Sequence, residues 1–253
     1  MKIGAQLFTV RDFTKNLDDF AETLKKVADI GYTTVQVSGT CPFEAEWLRD
    51  RLKETGLTCA ITHTNPDRVI NETEAVIREH DVFGCDYIGI GSLPGSLWGN
   101  PGALPAFAEL LAVPARKIRE AGKKFMYHNH GFEFTKANGV TFLERLADLM
   151  PAEDMGFTLD SYWVQYGGGD PAQFAEKLAG RIDCVHVKDM KYASDRQQMA
   201  YIGEGSINFE RFLSACEAGG TKYVLVEQDD CQGNDPFWCL KKSYEYLTAL
   251  GLK

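Results

Sequence analysis

Eight short, strongly apolar runs recur at regular intervals along this chain, and this repetition constrains the fold more than any other feature. The runs are KIGAQLF from Lys2, TTVQVS from Thr33, LTCAITH from Leu57, DYIGIG from Asp86, KKFMYH from Lys123, MGFTLD from Met155, DCVHVK from Asp183 and KYVLVE from Lys222. They are rich in β-branched and aromatic residues and hardly alternate between apolar and polar side chains. This pattern predicts parallel strands that are covered on both faces.

The segments between the runs carry the signals of helices. Apolar residues recur every three or four positions, as they do at Leu17, Phe20, Leu24 and Val27. An aspartate followed by a proline, at 170–171 and again at 235–236, predicts a helix start. Thr141 and Glu144 have the spacing of a capping box. Pro114 lies inside the fourth predicted helix, and we expect it to kink or split that helix.

Eight strand–helix units in 253 residues leave roughly 32 residues for each unit, which is the usual size of the repeat in a closed (β/α)8 barrel. The competing fold, an open doubly wound sheet, predicts a glycine-rich phosphate-binding turn after the first strand. The segment LFTVRD at that position contains no glycine. No stretch rich in proline, glycine or serine divides the chain. We therefore expect residues 1–253 to form a single α/β domain, a (β/α)8 TIM barrel.

The charge balance and the cysteines limit the partners and the location of the protein. Lys and Arg number 27 against 36 Asp and Glu, which gives a formal net charge of -9. Such a surface repels phosphate backbones, and the chain has no basic run, so we expect no nucleic-acid partner. No stretch approaches the roughly 18 apolar residues that a membrane-spanning helix needs. Seven scattered cysteines without a CxxC pair argue against a disulfide framework, so the expected location is a reducing cytoplasm.

Side chains that bind metals follow the predicted strands at the points where the strands end. In chain order they are His63, His128, Asp160, His186 and Glu227. Catalytic groups of such barrels lie at the carboxyl ends of the strands. Carboxylates and imidazoles without thiolates suit Mn²⁺, Mg²⁺, Co²⁺ or Zn²⁺ in a site that also accepts substrate oxygens. We therefore expect a divalent metal ion held by residues from several strands.

Structural roles compete with site roles at several of these positions. His63 is also compatible with a simple hydrogen bond to a backbone carbonyl. His128 and His130 alternate along a strand end, so either one or both can face the barrel axis. Lys188 fits an acid/base role or a phosphate-binding role, and it fits a salt bridge to Asp189 equally well.

Two loops supply further candidates for contacts with a substrate. Gly203-Glu204-Gly205 is a turn of small residues whose backbone N–H groups could hold an anionic or hydroxyl-rich ligand, although a plain turn would have the same sequence. The segment PGSLWGNPG from Pro94 predicts a mobile loop over the pocket, in which Trp98 could stack on a sugar face. The residues expected to contact substrate are Gln6, His63, Trp98, Asn129 and Glu204.

A set of longer motifs points to a known family. The motifs are QLFTVR at Gln6, YHNHGFEF at Tyr127, LDSYWV at Leu159, GRIDCVHVKDM at Gly180, GEGSINF at Gly203 and VLVEQD at Val224. In this combination the chain resembles the sugar phosphate isomerase/epimerase superfamily of xylose isomerase-like TIM barrels. The QLFTVR start and the YHNHxxEF segment resemble one branch of it. The resemblance extends over nearly the whole chain, and its specificity comes from the combination of the motifs.

The resemblance implies a divalent metal held by a Glu, an Asp, a His and a second Glu at the ends of alternate strands. Asp160, His186 and Glu227 match the last three positions. At the first position most relatives have a glutamate, whereas this chain has His128, with Glu133 five residues later. Either His128 takes that ligand position or Glu133 folds back to supply it.

This departure bears on the mechanism that the resemblance implies. In relatives that epimerise beside a carbonyl, the two ligating glutamates remove and return a proton on opposite faces of the substrate. Here Glu227 remains the expected base, and His130 or Lys188 would have to act as the opposing acid. We therefore expect a metal-dependent isomerase or epimerase of a monosaccharide or keto-sugar derivative. It would abstract a proton next to a carbonyl and form a metal-stabilised enediolate.

Three other functions are compatible with the sequence. A metal-dependent dehydratase or lyase on a 3-keto sugar or keto-inositol would use the same metal site and differ in its product. An apurinic-site nuclease shares this barrel, but five histidines and a charge of -9 suit its metal cluster and basic groove poorly. A non-catalytic sugar-binding barrel would bind sugar without the metal. The resemblance also implies a homodimer or a homotetramer.

Overall fold

The computed structural model describes residues 1–95, 98 and 100–252, and eight parallel strands in it close into a barrel. The strands in chain order are β1 (Lys2–Gln6), β2 (Thr34–Val37), β3 (Thr58–His63), β4 (Tyr87–Ile90), β5 (Lys124–His128), β6 (Lys136–Ala137), β7 (Val140–Thr141), β8 (Met155–Asp160), β9 (Cys184–Val187), β10 (Asp189–Ala193), β11 (Arg196–Ala200) and β12 (Tyr223–Val226). Around the barrel the order is β1, β12, β9, β8, β5, β4, β3 and β2, which returns to β1. The predicted (β/α)8 barrel is thus confirmed, and all eight apolar runs form its strands.

The remaining four strands form two antiparallel hairpins that the sequence reading missed. β6 pairs with β7 after the fifth barrel strand, and β10 pairs with β11 after the seventh. The second hairpin turns at Ser194 and Asp195, which both have positive φ although neither is a glycine. Its strands are polar and half exposed, so they lack the apolar run by which the barrel strands are recognised.

Helices connect the barrel strands and cover them. They are α1 (Leu17–Ile30), α2 (Ala45–Thr55), α3 (Pro66–Asn71), α4 (Thr73–Val82), α5 (Leu104–Glu120), α6 (Phe142–Leu149), α7 (Ser161–Tyr166), α8 (Pro171–Lys177), α9 (Phe209–Ala218) and α10 (Pro236–Ala249). The apolar stripe predicted from Phe20, Leu24 and Val27 is buried on α1. Across the ranges that the structure describes, none of the helices combines the length and apolarity needed to cross a bilayer.

The predicted helix starts are confirmed, whereas the predicted split at Pro114 is wrong and the alternative, a kink, stays a prediction. Asp170 and Asp235 each accept a hydrogen bond from the first turn of the helix that follows. Thr141 and Glu144 form the reciprocal capping box at the start of α6. Pro114 does not split α5, which continues from Leu104 to Glu120 around it. The ring of Pro114 is buried among the apolar residues of the helix.

The barrel interior has an apolar lower layer and a polar upper layer. A separate apolar cluster contains Ala60, Ile61, Tyr87, Met126, Cys184 and Leu225. The residues two positions further along three of these strands are His128, His186 and Glu227. Because side chains two positions apart lie on the same face of a strand, these three face the interior one layer above the apolar cluster. The barrel therefore presents them together at its carboxyl end.

A candidate metal centre and its pocket

Four buried side chains meet at the carboxyl end of the barrel. His128, Asp160, His186 and Glu227 each offer one ligand atom, and these atoms all lie within 4.8 Å of one another. Asp160 Oδ2 is 3.4 Å from His128 Nε2 and 3.6 Å from His186 Nδ1. His186 Nδ1 is also 2.9 Å from Glu227 Oε2. The four groups come from β5, β8, β9 and the end of β12, so the barrel must close before they meet.

Neighbouring groups fix the orientation of two of these side chains, His128 and Asp160. The Nδ1 atom of His128 is 2.8 Å from the carbonyl oxygen of Gly91, which turns its Nε2 towards Asp160. Asp160 Oδ1 accepts a hydrogen bond from Trp163 N, so this carboxylate caps α7 with one oxygen and faces the two histidines with the other. The backbone N–H of Asp160 in turn donates to Asn129 Oδ1. The predicted substrate contact Asn129 is therefore engaged in holding Asp160.

One buried ammonium group, that of Lys188, lies among three carboxylates. Its Nζ is 2.6 Å from Asp229 Oδ2, 3.4 Å from Glu227 Oε2 and 3.9 Å from Asp160 Oδ2. Lys188 is only 1% exposed, and its Nζ lies 5.1 Å from the ring centroid of Trp163. The alternative salt bridge to Asp189 is not formed, because Asp189 binds backbone N–H groups instead.

The electrostatics of the centre follow from burial and from this crowding of charges. Burial would raise the pKa of Asp160 and of Glu227, but Lys188 and the neighbouring imidazoles outweigh it, and both pKa values lie below their ordinary range. Burial would likewise lower the pKa of Lys188, but Glu227, Asp160 and Asp229 raise it. The carboxylates are thus held ionised in the barrel interior, where an uncompensated charge is costly.

The donor set fits a divalent cation. Two imidazoles and two ionised carboxylates, without a thiolate, are ligands that Mn²⁺, Co²⁺ and Zn²⁺ accept, and Mg²⁺ favours the oxygens. His186 Nδ1 is buried and makes no hydrogen bond within the described ranges, although it points at Glu227. Glu227 and Asp160 overcome burial and raise the pKa of His186 to about 9. His128, Asp160, His186 and Glu227 could therefore hold a divalent cation, which would replace a proton on His186.

Glu133, the alternative first ligand, lies outside this group. Its carboxylate accepts a hydrogen bond from Tyr127 Oη at 2.6 Å and one from the backbone N–H of His130 at 2.8 Å. The side chain is fully buried, and burial raises its pKa to about 7 in spite of these two donors. Of the two alternatives at the first position, the structure brings His128 to the group and holds Glu133 beside Tyr127.

A cavity of about 260 Å³ opens next to the centre and is lined by both ligand and non-ligand side chains. Its lining includes His128, Lys188, Glu227, Asp229 and His63. His63 Nδ1 lies 3.3 Å from the hydroxyl of Ser38, and its buried Nε2 has no partner within the described residues. Burial, together with the neighbouring His128 and His186, holds the pKa of His63 well below its ordinary value, so the ring is neutral.

Aromatic rings form one wall of this cavity. Trp163 and His130 both line it, with ring centroids 5.3 Å apart. The predicted substrate contact Trp98 does not line the cavity: its ring stacks on Phe132 at 4.8 Å and lies 6.4 Å from that of His130, while 54% of Trp98 remains exposed. Burial and the nearby His128 lower the pKa of His130 to about 3. The predicted loop over the pocket includes residues 96, 97 and 99, which lie outside the described residues.

Two other predicted substrate contacts are placed away from the cavity lining. Gln6 is fully buried at the end of β1, where its Oε1 accepts a hydrogen bond from Phe8 N. Glu204 pairs with Lys191 at 2.8 Å on the surface. The prediction that the Gly203–Gly205 turn holds a ligand with its backbone N–H groups is wrong. The N–H groups of residues 203 and 205 both donate to Asp189, which already fills that role.

Asp229 and Gln36 take part in the site although the sequence reading did not select them. Asp229 lines the cavity and binds Lys188, and burial together with repulsion from Glu227 raises its pKa to about 6. Gln36 Oε1 lies 2.7 Å from His186 Nε2. Asp229 could have been selected from the sequence, because it follows Glu227 by two residues. Gln36 precedes His186 by 150 positions, so only the closed barrel reveals that contact.

These features define a class of protein: a (β/α)8 barrel with a buried two-histidine, two-carboxylate centre at the carboxyl end of its strands. The chain belongs to the xylose isomerase-like TIM barrel family, whose profile matches residues 24–243. Inosose dehydratase of Geobacillus kaustophilus is 23% identical to this chain and aligns with 90% of it and 86% of its own length.

Solved structures agree on the fold. A sugar phosphate isomerase/epimerase from Parabacteroides distasonis superposes with a TM-score of 0.83 at 21% identity and covers 98% of this chain and 93% of its own. A probable 3-DHS dehydratase from Bacillus anthracis superposes with a TM-score of 0.73 at 16% identity and covers 98% of both chains. The resemblance to xylose isomerase-like barrels is confirmed, while the assignment to the YHNHxxEF branch stays a prediction.

Proposed function

We propose that this protein is a metal-dependent enzyme that removes a proton next to the carbonyl of a keto-sugar or keto-inositol and then expels a neighbouring hydroxyl as water. The observation that carries the proposal is the pairing of a buried base with a buried acid. The Glu227 carboxylate lies 3.4 Å from the Lys188 ammonium, and both line the cavity. The name of the G. kaustophilus relative, inosose dehydratase, supports this reaction class.

The cation would be held by His128, Asp160, His186 and Glu227, and when bound it would stabilise the negative charge that develops on the carbonyl oxygen. Metal analysis of the purified protein would identify the bound ion among Mn²⁺, Mg²⁺, Co²⁺ and Zn²⁺. The neutral His63 and the hydroxyl of Ser38 offer hydrogen bonds to substrate hydroxyls from the same cavity. The ring face of Trp163, which lines the cavity, suits the apolar C–H face of a sugar.

The chain's own residues account for the proton movements. Glu227 takes the proton from the carbon beside the carbonyl, and the electron pair of that C–H bond forms an enolate. When the carbonyl re-forms, a carbon–carbon double bond develops and the neighbouring C–O bond breaks. The departing hydroxyl takes a proton from Lys188, which Asp229 holds at 2.6 Å, and leaves as water. The proton on Glu227 then passes to Lys188 and restores both groups.

An isomerase or epimerase of a monosaccharide is the second candidate. It is favoured by His130, whose ring lines the same cavity and whose Nδ1 has no partner in the described part of the chain. With a pKa of about 3 the ring is unprotonated, so it could take the proton from the substrate, and Glu227 would then return one to the enolate at a different carbon or face. A two-glutamate epimerisation has less support, because the first ligand position, where most relatives have a glutamate, is occupied here by His128.

Binding of a nucleic-acid backbone has less support than the dehydratase or the isomerase/epimerase function. The only lysine or arginine among the described residues that line the cavity is Lys188, and it is matched by three carboxylates. A phosphate chain would therefore meet negative charge at this mouth. A non-catalytic sugar-binding barrel would not need the base–acid pair.

The test is to follow product and solvent exchange together. Purified protein loaded with each metal is incubated in D₂O with a panel of inososes, 3-keto sugars and unmodified ketoses. We expect an enone product with one equivalent of water lost, and Glu227→Gln should abolish both product and deuterium exchange. Lys188→Met and Asp229→Asn should slow loss of water more than exchange.

Three results would change the assignment. Exchange accompanied by an aldose, ketose or epimer, without an enone, would establish the second candidate instead. Sugar binding that survives metal removal, without exchange or product, would support a binding barrel. Protein that binds no divalent metal and turns over nothing on the panel would refute the enzyme proposal.

A further inference from the structure

One of the candidate ligands is contacted by a side chain from the far side of the barrel interior. Gln36, on β2, places its Oε1 2.7 Å from His186 Nε2, on β9. In the barrel, β1 and β12 lie between these two strands, so the contact crosses the interior. Both side chains are completely buried.

The two ring nitrogens of His186 have different surroundings. Nε2 faces Gln36, whereas Nδ1 faces Glu227 at 2.9 Å and Asp160 at 3.6 Å. An imidazole binds a cation through the nitrogen that carries no proton, and a hydrogen bond from the other nitrogen decides which one that is. The acceptor on the Nε2 side therefore selects Nδ1 as the ligand atom.

His128 is arranged the opposite way. Its Nδ1 lies 2.8 Å from the carbonyl oxygen of Gly91, so Nε2 is left to face the centre. The two histidines thus use different nitrogens, and each is oriented by a different kind of acceptor. The backbone carbonyl at Gly91 persists in any variant, whereas the amide of Gln36 can be removed by substitution.

We propose that Gln36 is a positioning residue for the metal centre: it accepts a hydrogen bond from the Nε2–H of His186 and thereby presents Nδ1 to the cation. The inference rests on the proposed metal site. It assigns Gln36 a role in metal affinity, with no contact to substrate. A purely structural Gln36 would only fill space between β2 and β9, and a leucine of similar volume would serve as well.

The experiment measures Zn²⁺ affinity by competition with a chelator at fixed pH. We expect Gln36→Leu to lose about 10- to 100-fold in affinity, which is typical when the partner of a ligating histidine is removed. Gln36→Glu retains an acceptor and should stay within a few-fold of the wild type. Gln36→Met, which follows the shape of glutamine more closely, serves if the leucine variant does not fold.

A matched control and a spectroscopic measurement separate the hydrogen bond from packing. Thr158→Val removes a hydroxyl that is as buried as Gln36, two positions before Asp160 on β8, and it should leave Zn²⁺ affinity unchanged. In the Zn²⁺-loaded wild type, long-range ¹⁵N–¹H correlations should place the proton of His186 on Nε2. In Gln36→Leu that signal should shift or broaden.

The outcomes distinguish this inference from the proposed function. Wild-type protein that binds no Zn²⁺ would refute the metal site itself. Wild-type affinity in folded Gln36→Leu or Gln36→Met would refute the role of Gln36 while leaving the site intact. Equal losses in the glutamate and leucine variants would mean that packing, and not the acceptor, is what Gln36 supplies.

Discussion

The two ends of the barrel each contain a cluster of charged side chains, and the clusters are built in opposite ways. At the amino end, just before β9, Asp183 accepts hydrogen bonds from Tyr87 Oη at 3.1 Å and from Lys124. Lys222 is 3.1 Å from the same carboxylate and also donates to Tyr87. Two ammonium groups and a hydroxyl thus surround a single carboxylate.

At the carboxyl end the ratio is reversed. Lys188 is the ammonium shared by Asp160, Glu227 and Asp229, and the ring of His186 lies against two of these carboxylates. The amino-end cluster is complete without a further ion and can serve stability. The carboxyl-end cluster keeps excess negative charge in a buried place, an arrangement that costs stability and that proteins retain where function needs it.

The same substitution at both ends gives the largest expected contrast. Asp160→Asn removes a candidate ligand but retains a capping residue for α7, so we expect kcat/KM to fall on the order of 10³-fold with little change in Tm. Asp183→Asn should leave turnover unchanged. Activity assays of both variants, with their metal content measured by mass spectrometry, test this contrast. Equal losses of turnover at the two ends would abolish the distinction.

Lys188→Met tests the claim of excess negative charge. The substitution leaves the buried carboxylates of Asp160 and Glu227, and the half-buried one of Asp229, without their ammonium group, so we expect the free energy of unfolding in chelator-treated protein to fall by roughly 3–5 kcal/mol. Guanidinium unfolding measures it. Lys222→Met is the control, because the side chain of Lys222 is 61% exposed and its ion pair is worth less than about 1 kcal/mol.

One further variant and the addition of a cation sharpen that result. Adding Asp229→Asn to Lys188→Met should restore part of the loss, because one of the uncompensated carboxylates is then neutral. Added Zn²⁺ or Mn²⁺ should also reduce the deficit, since the cation replaces the missing positive charge. If Lys188→Met were no more destabilising than Lys222→Met, the carboxyl-end cluster would not be charge-strained.

Glu133 is an intermediate case between the two clusters. Within the described residues, its buried carboxylate has a hydroxyl and a backbone amide as partners. Burial raises its pKa to about 7, so between the ordinary glutamate pKa and about 7 the folded state binds more protons than the unfolded state. Stability therefore falls as pH rises through this window and levels off above it. The loss corresponds to about 3 kcal/mol at 1.36 kcal/mol per pKa unit.

Glu133→Gln should remove this pH dependence. Urea unfolding should be measured between pH 5 and 8, a range that spans the raised pKa of Glu133. As pH rises, the free energy of unfolding of the variant should increase relative to that of the wild type. Tyr127→Phe removes a hydrogen bond that lowers the pKa of Glu133, so the dependence should persist and extend to higher pH. A constant difference between Glu133→Gln and the wild type across this range would contradict the assignment.

The sequence was informative about the barrel because its strands are buried on both faces. Such strands appear as continuous apolar runs, and the helices between them carry capping residues such as Asp170 and Thr141. The β10–β11 hairpin was not predicted because its strands are polar. Its turn residues, Ser194 and Asp195, have positive φ although neither is a glycine, so the usual turn signal is missing. The periodicity of apolar residues reflects burial, and the strands of that hairpin are half exposed.

The candidate site was partly visible in the sequence for a related reason. Strand ends are where side chains converge in a barrel, so reading those positions selected Asp160, His186 and Glu227. It could not decide between His128 and Glu133, since that depends on which way a short loop turns after β5. Contacts such as that of Gln36 with His186 join strands without any fixed sequence spacing, so only the closed barrel reveals them.

The smallest expected effect concerns the stability supplied by the amino-end cluster. Burial opposes ionisation of Asp183, but Lys124 and Lys222 outweigh it and lower its pKa. Its contribution is therefore present above the ordinary aspartate pKa of about 3.9 and is lost as pH falls below that value. We expect Asp183→Asn to reduce the free energy of unfolding at pH 7 by about 1–2 kcal/mol, because Lys222 is largely exposed and water screens it.

The gap between wild type and Asp183→Asn should narrow when urea unfolding is repeated at a pH below about 4. The narrowing is informative because the carboxyl-end cluster behaves differently. There, neutralising a carboxylate relieves repulsion, so Asp229→Asn in metal-free protein should be neutral or stabilising at pH 7. If Asp183→Asn also proved stabilising, the amino-end cluster would be charge-strained as well, and an excess of carboxylates over lysines could no longer identify the functional end of the barrel.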